Sequence, residues 1–415
     1  MELRRVVVTG LGAITPLGKT AKETWNGLTS GKSGSAMIKL FDASKFKTRF
    51  ACEVKDFNAT DYFDRKTARK LDRYAQFALI AADEAILDSG LDLEVLDKDK
   101  AGVIWASGIG GLTTFLEEVI SFTKGDGTPR FSPFFIPKMI SDIAAGHISI
   151  KYGLRGPNFG TVSACASSTN ALIDAYTYIS LGKADVFVAG GSEASINQPG
   201  MGGFNSMQAL STNNDEFETA SRPFCKTRDG FVMGEGGASI ILEEYEHAIK
   251  RGATIYAELI GTGMTADAYH LTAPHPEGNG ATKVMKNAIE DAEIKPEDID
   301  YINVHGTATP LGDLSETQAI EKVFGEHAFN LNISSTKSMT GHLLGAAGAM
   351  EAMVAILSIK YGIVPPSMHI KELDDRINPK LNLTIGKAQK RDVKVALSNT
   401  FGFGGHNASV IFRKL

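Results

Sequence analysis

"TVSACASSTNALIDAYTYISLG" (residues 161–182) is the stretch on which the fold turns. From Ala166 onward it is small or apolar nearly all round until Gly182, a natural residue for leaving a helix. A helix apolar on every side is buried. Cys165 then stands at or just before the N-terminus of a central helix. Free N–H groups and the macrodipole favour an anion there, so a lowered thiol pKa is expected. A small buried hydrophobe is the competing reading, common for free cysteines. The stretch alone leaves the two even.

Strand-like runs lie to either side. They are "RRVVVTG" (4–10), "KAGVIWASG" (100–108), "ADVFVAGG" (184–191), "ASIILEE" (238–244), "IDYINVHG" (299–306), "LNISSTK" (331–337) and "KVALSNTFG" (394–402). Helical patterns alternate with them, which predicts an α/β fold with buried sheets. No Ser/Pro-rich linker divides the chain. The densest turn region falls near 245–275, so a division into halves is expected there, as 1–250 and 251–415. No sequence repeat is visible by eye.

Composition narrows the setting. The chain has 415 residues, 43% hydrophobic and 22% charged, enough for two core-forming units or one large duplicated domain. Three cysteines, Cys52, Cys165 and Cys225, make no disulfide framework and show no metal-site spacing, so no metal is expected. A net charge of -5 argues against bulk affinity for nucleic acid. "MELRRVVVTGLGAITPLG" reads as a first strand, not a leader, and no segment is expected to reach the roughly 18 apolar residues of a membrane span. A cytoplasmic protein with no membrane partner is expected.

Three further motifs carry chemistry. "YINVHGTATPLGDLSE" (301–316) ends a strand at His305, and Asp313 with Glu316 fits an N-cap and N3 capping box. "ISSTKSMTGHLLGAAGAMEAMVAIL" (333–357) sets Lys337 after a strand and His342 at the head of a small-residue helix that can pack closely. Two histidines at strand ends, beside a cysteine at a helix head, are hard to explain as packing. "SNTFGFGGHNASVIF" (398–412) reads as two strands around a glycine turn. "TGLGAIT" (9–15) has Thr15 where a dinucleotide fingerprint needs its third glycine, and no Walker A motif is present. No nucleotide or other cofactor is expected.

Together, "VSACASS", "NVHGTATPLGD", "SSTKSMTGHLLGAAG" and "SNTFGFGGHN" resemble the β-ketoacyl-[acyl-carrier-protein] synthases, and the resemblance runs over essentially the whole chain. It implies a thiolase-like fold, two related halves in five α-β-α-β-α layers, in a homodimer. The N-terminal half would carry the cysteine and carrier-docking insertions, the C-terminal half the histidines. Within the family, thiolases have a second catalytic cysteine near the glycine turn, absent here. The initiating synthases pair Cys and His with an asparagine, where this chain has His342. Ile109 in "SGIGGLTTF" matches the elongating type II enzymes.

The resemblance implies a decarboxylative condensation of acyl-carrier with malonyl-carrier in fatty acid elongation. Cys165 would be the nucleophile, with Phe403 as gate and its N–H in the oxyanion hole. His305 and His342 would be hydrogen-bond donors to the enolate. Lys337 would be required for activity, with Glu351 as its partner. Ile109, Phe204, Phe401 and Thr272 would contact substrate, and Thr307 and Thr309 the phosphopantetheine arm. Asp267, Asp313 and Glu316 would support the site, Asp267 and Thr272 in a loop that moves with the glycine turn. The partner is an acidic acyl carrier protein. Arg65, Lys66, Arg69, Lys70 and Arg73 fall within about 140° of one helix face at about 100° per residue, a docking patch to which Arg130 adds by resemblance. Phe131 stands where relatives often have a second basic residue, and Gln208 where some have an arginine. A ketosynthase of a polyketide or aryl-polyene pathway and a non-catalytic carrier-binding subunit share much of this resemblance; the intact Cys165, His305 and His342 set argues against the latter.

Overall fold

The computed structural model describes residues 3–415. Its main sheet has ten strands. The first five are β1 (Val6–Ile14), β2 (Ala101–Ala106), β3 (Asn158–Thr161), β4 (Val186–Glu193) and β5 (Gly236–Glu244). The second five are β6 (Ala257–Ala266), β7 (Tyr301–Asn303), β8 (Asn332–Ser334), β9 (Val395–Gly402) and β10 (His406–Arg413). The first set lies in the order β3-β2-β4-β5-β1, the second in the order β8-β7-β9-β10-β6. Directions repeat as well. β2 is parallel to β3 and β4, and β5 is antiparallel to β4 and β1. Likewise β7 is parallel to β8 and β9, and β10 is antiparallel to β9 and β6. One architecture therefore occurs twice. The copies join where β1 and β6 pair antiparallel across Val6–Leu259, Val7–Glu258 and Val8–Ala257.

The helices that matter here are α1 (Arg65–Ala68), α2 (Arg73–Ser89), α3 (Leu112–Lys124), α4 (Ile143–Tyr152), α5 (Ser167–Ser180), α6 (Asn279–Asp291), α7 (Pro310–Phe324) and α8 (Ala347–Tyr361). α5 and α8 pack on each other between the two sets of strands, α5 against β2 and β4, α8 against β7 and β9. α2 and α4 cover the first set from outside; α6 covers the second and carries α7 against it. These are the five α-β-α-β-α layers of the thiolase-like fold. Every residue of α8 from Ala347 to Ile359 is buried, and its Ala349 N–H donates to Ser168 Oγ of α5 at 2.9 Å. α5 leaves through Leu181 into Gly182, at φ +69°, as its sequence predicts.

Strands β3 and β6 go beyond the sequence expectation, and β6 crosses the region expected to be turns. Glycines disguise it. A Cβ on Gly261 or Gly263 of β6 would lie 2.5 Å from Ala288 O or 2.3 Å from Val284 O, both in α6. In β1 the same spacing recurs: a Cβ on Gly10 or Gly12 would lie 2.2 Å from Ala85 O or 2.1 Å from Ala81 O, both in α2. "TGLGAIT" is therefore a strand on which a helix sits flush, and the Gly-x-Gly pair is a trace of the duplication in the sequence.

Two more expectations are corrected. The 18-residue stretch Leu344–Tyr361 is long and apolar enough to cross a membrane, with mean hydropathy 1.3, but 89% of it is buried as the central core helix. The basic run is not one helix. α1 ends at Ala68, and Asp72 caps a new helix, accepting from the N–H of Tyr74 at 3.3 Å. Arg73 turns inward, 2.6 Å from the buried Glu235 carboxylate and over the rings of Phe57 and Phe77. It leaves the basic face to Arg65, Lys66, Arg69 and Lys70.

Candidate active site

Both central helices point their N-terminal ends at one cavity of about 670 Å³. Cys165 precedes α5 on a backbone bent through Ala164 at φ +51°, a strained conformation for a residue with a side chain. His342 precedes α8 and sets Nε2 3.0 Å from Cys165 Sγ. Leu344 N–H donates to His342 Nδ1 at 3.3 Å, which assigns the ring proton to Nε2. His342 therefore donates toward the sulfur. His305 follows β7; its ring lies 5.3 Å from that of His342 at 85°. Ligand-type atoms of Cys165, His305 and His342 all lie within 4.8 Å of one another. Three such atoms could ligate a metal, but the Lys337 cation bears on both imidazoles and opposes a second positive charge there.

Charge near the site follows from burial. Burial first, then the Lys337 cation, holds both imidazoles well below the ordinary histidine range; for His305 the neighbouring His342 adds to this. Both are thus neutral donors. Burial pushes the Cys165 thiol up to about 12, against the pull of Lys337 and the Phe403 N–H. This corrects the expected lowering. A helix terminus is worth typically 0.3–1 kcal/mol, and about 2 at best, so full desolvation outweighs it. Lys337 opens a short helix, Lys337–Thr340, and pairs with Glu351; both side chains are buried. Burial pushes the Glu351 carboxyl up to about 7.

Asp313 and Glu316 form no capping box, because α7 starts at Pro310 with Thr309 as its cap, which puts both carboxylates inside the helix. They work on neighbouring loops instead. Glu316 accepts from the N–H groups of His305 at 2.9 Å and Gly306 at 2.8 Å, fixing the histidine's backbone. Asp313 accepts from Phe224 N–H at 2.8 Å and Ala308 N–H at 3.1 Å. Burial raises them to about 7 and about 6 respectively.

Ile109, Phe204, Phe401 and Phe403 line the cavity, as do Thr272, Thr307 and Thr309. The hydroxyls of Thr307 and Thr309 are 3.0 Å apart. Phe403 belongs to the turn between β9 and β10, and a second loop clasps that turn. Asp267 N–H donates to Gly405 O at 2.9 Å, Gly404 N–H donates to Leu271 O at 2.7 Å, and Asn407 Nδ2 donates to Asp267 Oδ1 at 2.8 Å. Arg65, Lys66, Arg69 and Arg130 are exposed and outside the cavity; Arg130 pairs with Asp126 at 3.3 Å. Lys70 is half-buried, its Nζ 5.3 Å from the Phe134 ring centroid. Phe131 stacks between Phe122 and Phe135, and Gln208 lines the cavity.

Two residues escaped the sequence reading. Arg228 is buried and donates to Thr309 O at 3.1 Å and Pro310 O at 2.6 Å, anchoring the threonine loop. Glu193 ends β4 in the cavity wall. Its signal was a carboxylate closing an otherwise apolar strand, "VFVAGGSE".

Comparison with known proteins agrees with this geometry. The profile of the beta-ketoacyl synthase N-terminal domain matches residues 3–248, and that of its C-terminal domain matches residues 256–371. The chain belongs to the beta-ketoacyl synthase family. Such a synthase is an acyltransferase that joins carbon chains. A 3-oxoacyl-[acyl-carrier-protein] synthase 2 of Synechocystis sp. is 48% identical over 414 residues, 100% of this chain and 99% of the relative. The enzyme of that name from Staphylococcus aureus is 47% identical over 411 residues, 99% of this chain and 98% of the relative. Among solved structures, a beta-ketoacyl synthase from Burkholderia phymatum superposes with TM-score 0.91 at 35% identity, covering 99% and 100% of the two chains. A type II PKS acyl-carrier protein in complex with its ketosynthase gives TM-score 0.92 at 35% identity, covering both chains fully.

Proposed function

We propose that this chain is the elongating condensing enzyme of type II fatty acid synthesis, with the acyl group held on Cys165. The Cys165 sulfur attacks the thioester carbonyl of an acyl-carrier. A new C–S bond forms, the bond to the phosphopantetheine sulfur breaks, and the leaving thiolate takes the proton lost from Cys165. Malonyl-carrier then loses CO2, and the electron pair of the broken C–C bond becomes an enolate. Its carbon attacks the acyl-cysteine carbonyl, the C–S bond breaks, and Cys165 regains a proton from solvent. The product is 3-oxoacyl-carrier.

The observation that carries this reading is the pair of neutral imidazoles beside the sulfur, His342 Nε2 at 3.0 Å. An enolate oxygen there would be met by N–H donors in a site with little water, where such donors are worth most. The N–H groups of Cys165 and Phe403 would serve the acyl-transfer oxyanion. Thr307 and Thr309 would hold the pantetheine arm, and Asp267 with Thr272 would let the Phe403 turn open. The half 1–250 supplies nucleophile and docking surface, and the half 251–415 the histidines.

The exposed cations of α1 and its neighbours would attract an acidic carrier protein. A homodimer is supported by the open edge of β3, by Val162 at 61% exposure, and by an exposed apolar ridge that includes Phe115, Phe131 and Ile136. Full-length identities of 46–48% to the fatty acid enzymes, against 35% to the polyketide ketosynthase, favour the fatty acid pathway. Single-turnover acylation and CO2 release, measured separately for His305→Ala and His342→Ala, test the assignment. Decarboxylation should fall much further than acyl transfer to Cys165; equal losses would mean the histidines chiefly activate the thiol.

A further inference from the structure

Glu193 is fully buried, yet its carboxylate meets neutral donors from two separate segments. Oε1 accepts from Ser107 Oγ at 3.0 Å and Ile109 N–H at 3.2 Å. Oε2 accepts from Gly108 N–H at 2.8 Å and Gly345 N–H at 3.0 Å. The segment 107–109 follows β2 and carries Ile109 into the cavity; Gly345 lies between His342 and α8. The carboxylate brackets the two. Space is shaped to it. A Cβ on Gly108 would lie 2.9 Å from Oε2, and one on Gly345 would lie 2.8 Å from Oε2 and 2.3 Å from Gly108 N. Gly108 of "SGIGG" and Gly345 of "LLGAAG" therefore belong to this bracket. Condensation itself needs no carboxylate here, and the charge works against the nucleophile, pushing the Cys165 thiol up.

We propose that Glu193 is a positioning residue that fixes the Ile109 backbone and thereby sets the acyl length the cavity admits. This rests on reading Ile109 as the limit of the acyl pocket. A glutamine shows why the charge matters. With its NH2 in place of Oε2, two backbone N–H groups would face a donor. With its NH2 in place of Oε1, Ser107 Oγ can accept from it, since that oxygen accepts only the Gly110 N–H at 3.0 Å. The second arrangement is the better one, and it leaves a single backbone donor, Ile109 N–H, without a partner. Glu193→Gln thus releases Ile109 while keeping the link between Gly108 and Gly345.

The test compares kcat/KM on a short and a long acyl-carrier. Glu193→Gln should raise the long-to-short ratio roughly tenfold, the scale of one unpaired buried N–H. Ile109→Gly should raise it too, and the double variant should show no further rise, because both act through one element. Ser107→Ala, which keeps the carboxylate and all three backbone donors, should shift the ratio the same way by less and covers the case of a glutamine variant that does not fold. A ratio unmoved by Glu193→Gln and Ser107→Ala but raised by Ile109→Gly overturns the bracket alone. A ratio unmoved by Ile109→Gly overturns the reading of Ile109 and the proposal with it. Full additivity in the double variant overturns it as well.

Discussion

His305 and His342 share the site with a buried cation, and this fixes their protonation. Burial and Lys337 hold both imidazoles far below the ordinary value of about 6.5. Their N–H donors should therefore survive acidification. CO2 release from malonyl-carrier, followed from mildly alkaline to mildly acid pH, should show no fall centred near about 6.5; a fall there would mean that an ordinary imidazole controls the step. Lys337 and Glu351 allow a second prediction. Removing one partner of a buried pair typically costs about 3–5 kcal/mol. In Lys337→Ala the orphan is Glu351, already pushed up to about 7 by burial and then pushed higher. A carboxyl whose folded pKa lies above its unfolded value binds more protons in the fold, so its stability contribution grows as pH falls toward the unfolded value. Lys337→Ala should melt higher in mildly acid than in mildly alkaline buffer, relative to the unchanged protein. The reverse order would place the orphaned charge elsewhere. Cys165→Ala should abolish condensation while Cys225→Ala should not, since Cys225 lies outside the cavity; an acyl adduct mapped to Cys225 would sink the assignment.

Among elements, the break between α1 and α2 divides a basic run that looked uniform. Arg65, Lys66 and Arg69 face solvent, whereas Arg73 satisfies the buried Glu235 carboxylate. Charge reversal at Lys66, Arg69 and Lys70 should raise the apparent KM for acyl-carrier, weaken with salt, and leave the melt nearly unchanged. Arg73→Ala should do the opposite, lowering stability by about 3–5 kcal/mol through the orphaned Glu235. Similar melts for the two variants would contradict the burial of that pair. The break was hard to see because helix periodicity continues across it; only Asp72, a capping residue type, marked it. Long apolar runs such as β4, β5 and β9 were legible because they are buried on both faces. β6 was not, since close helix packing requires glycines that mimic a turn. That Cys165, His305, His342 and Lys337 gather at one site was legible from their motifs. Glu193 and Arg228 were not, because their work is hydrogen bonding to backbone far away in sequence, at Gly345 and Thr309.

At the scale of the whole molecule, the two five-stranded copies repeat in topology but do not stand apart. α8 belongs by sequence to the second copy, yet it packs against β4 and β5 of the first as well as β7 and β9 of its own. α5 likewise touches β10 across the middle layer. β1 and β6 exchange backbone hydrogen bonds at the seam. Each half would expose one face of its sheet and one of its own buried helices if the other were absent, a loss of apolar burial too large for a marginally stable fold. The halves should therefore unfold together. The tryptophans make this measurable, because both, Trp25 and Trp105, lie in the first half. Trp25 stacks on Tyr361 of α8, so in a Trp25→Phe background the fluorescence of Trp105, whose Nε1 donates to Ser192 Oγ at 2.9 Å, reports the first half alone, while far-UV circular dichroism reports the helices and strands of the entire chain. In a urea titration the two transitions should coincide, and each should shift together with protein concentration if the chain is a homodimer. Fluorescence change at a urea concentration where a large part of the dichroism remains would mean that the halves are separate folding units, with the central helix pair an interface between domains and not a shared core.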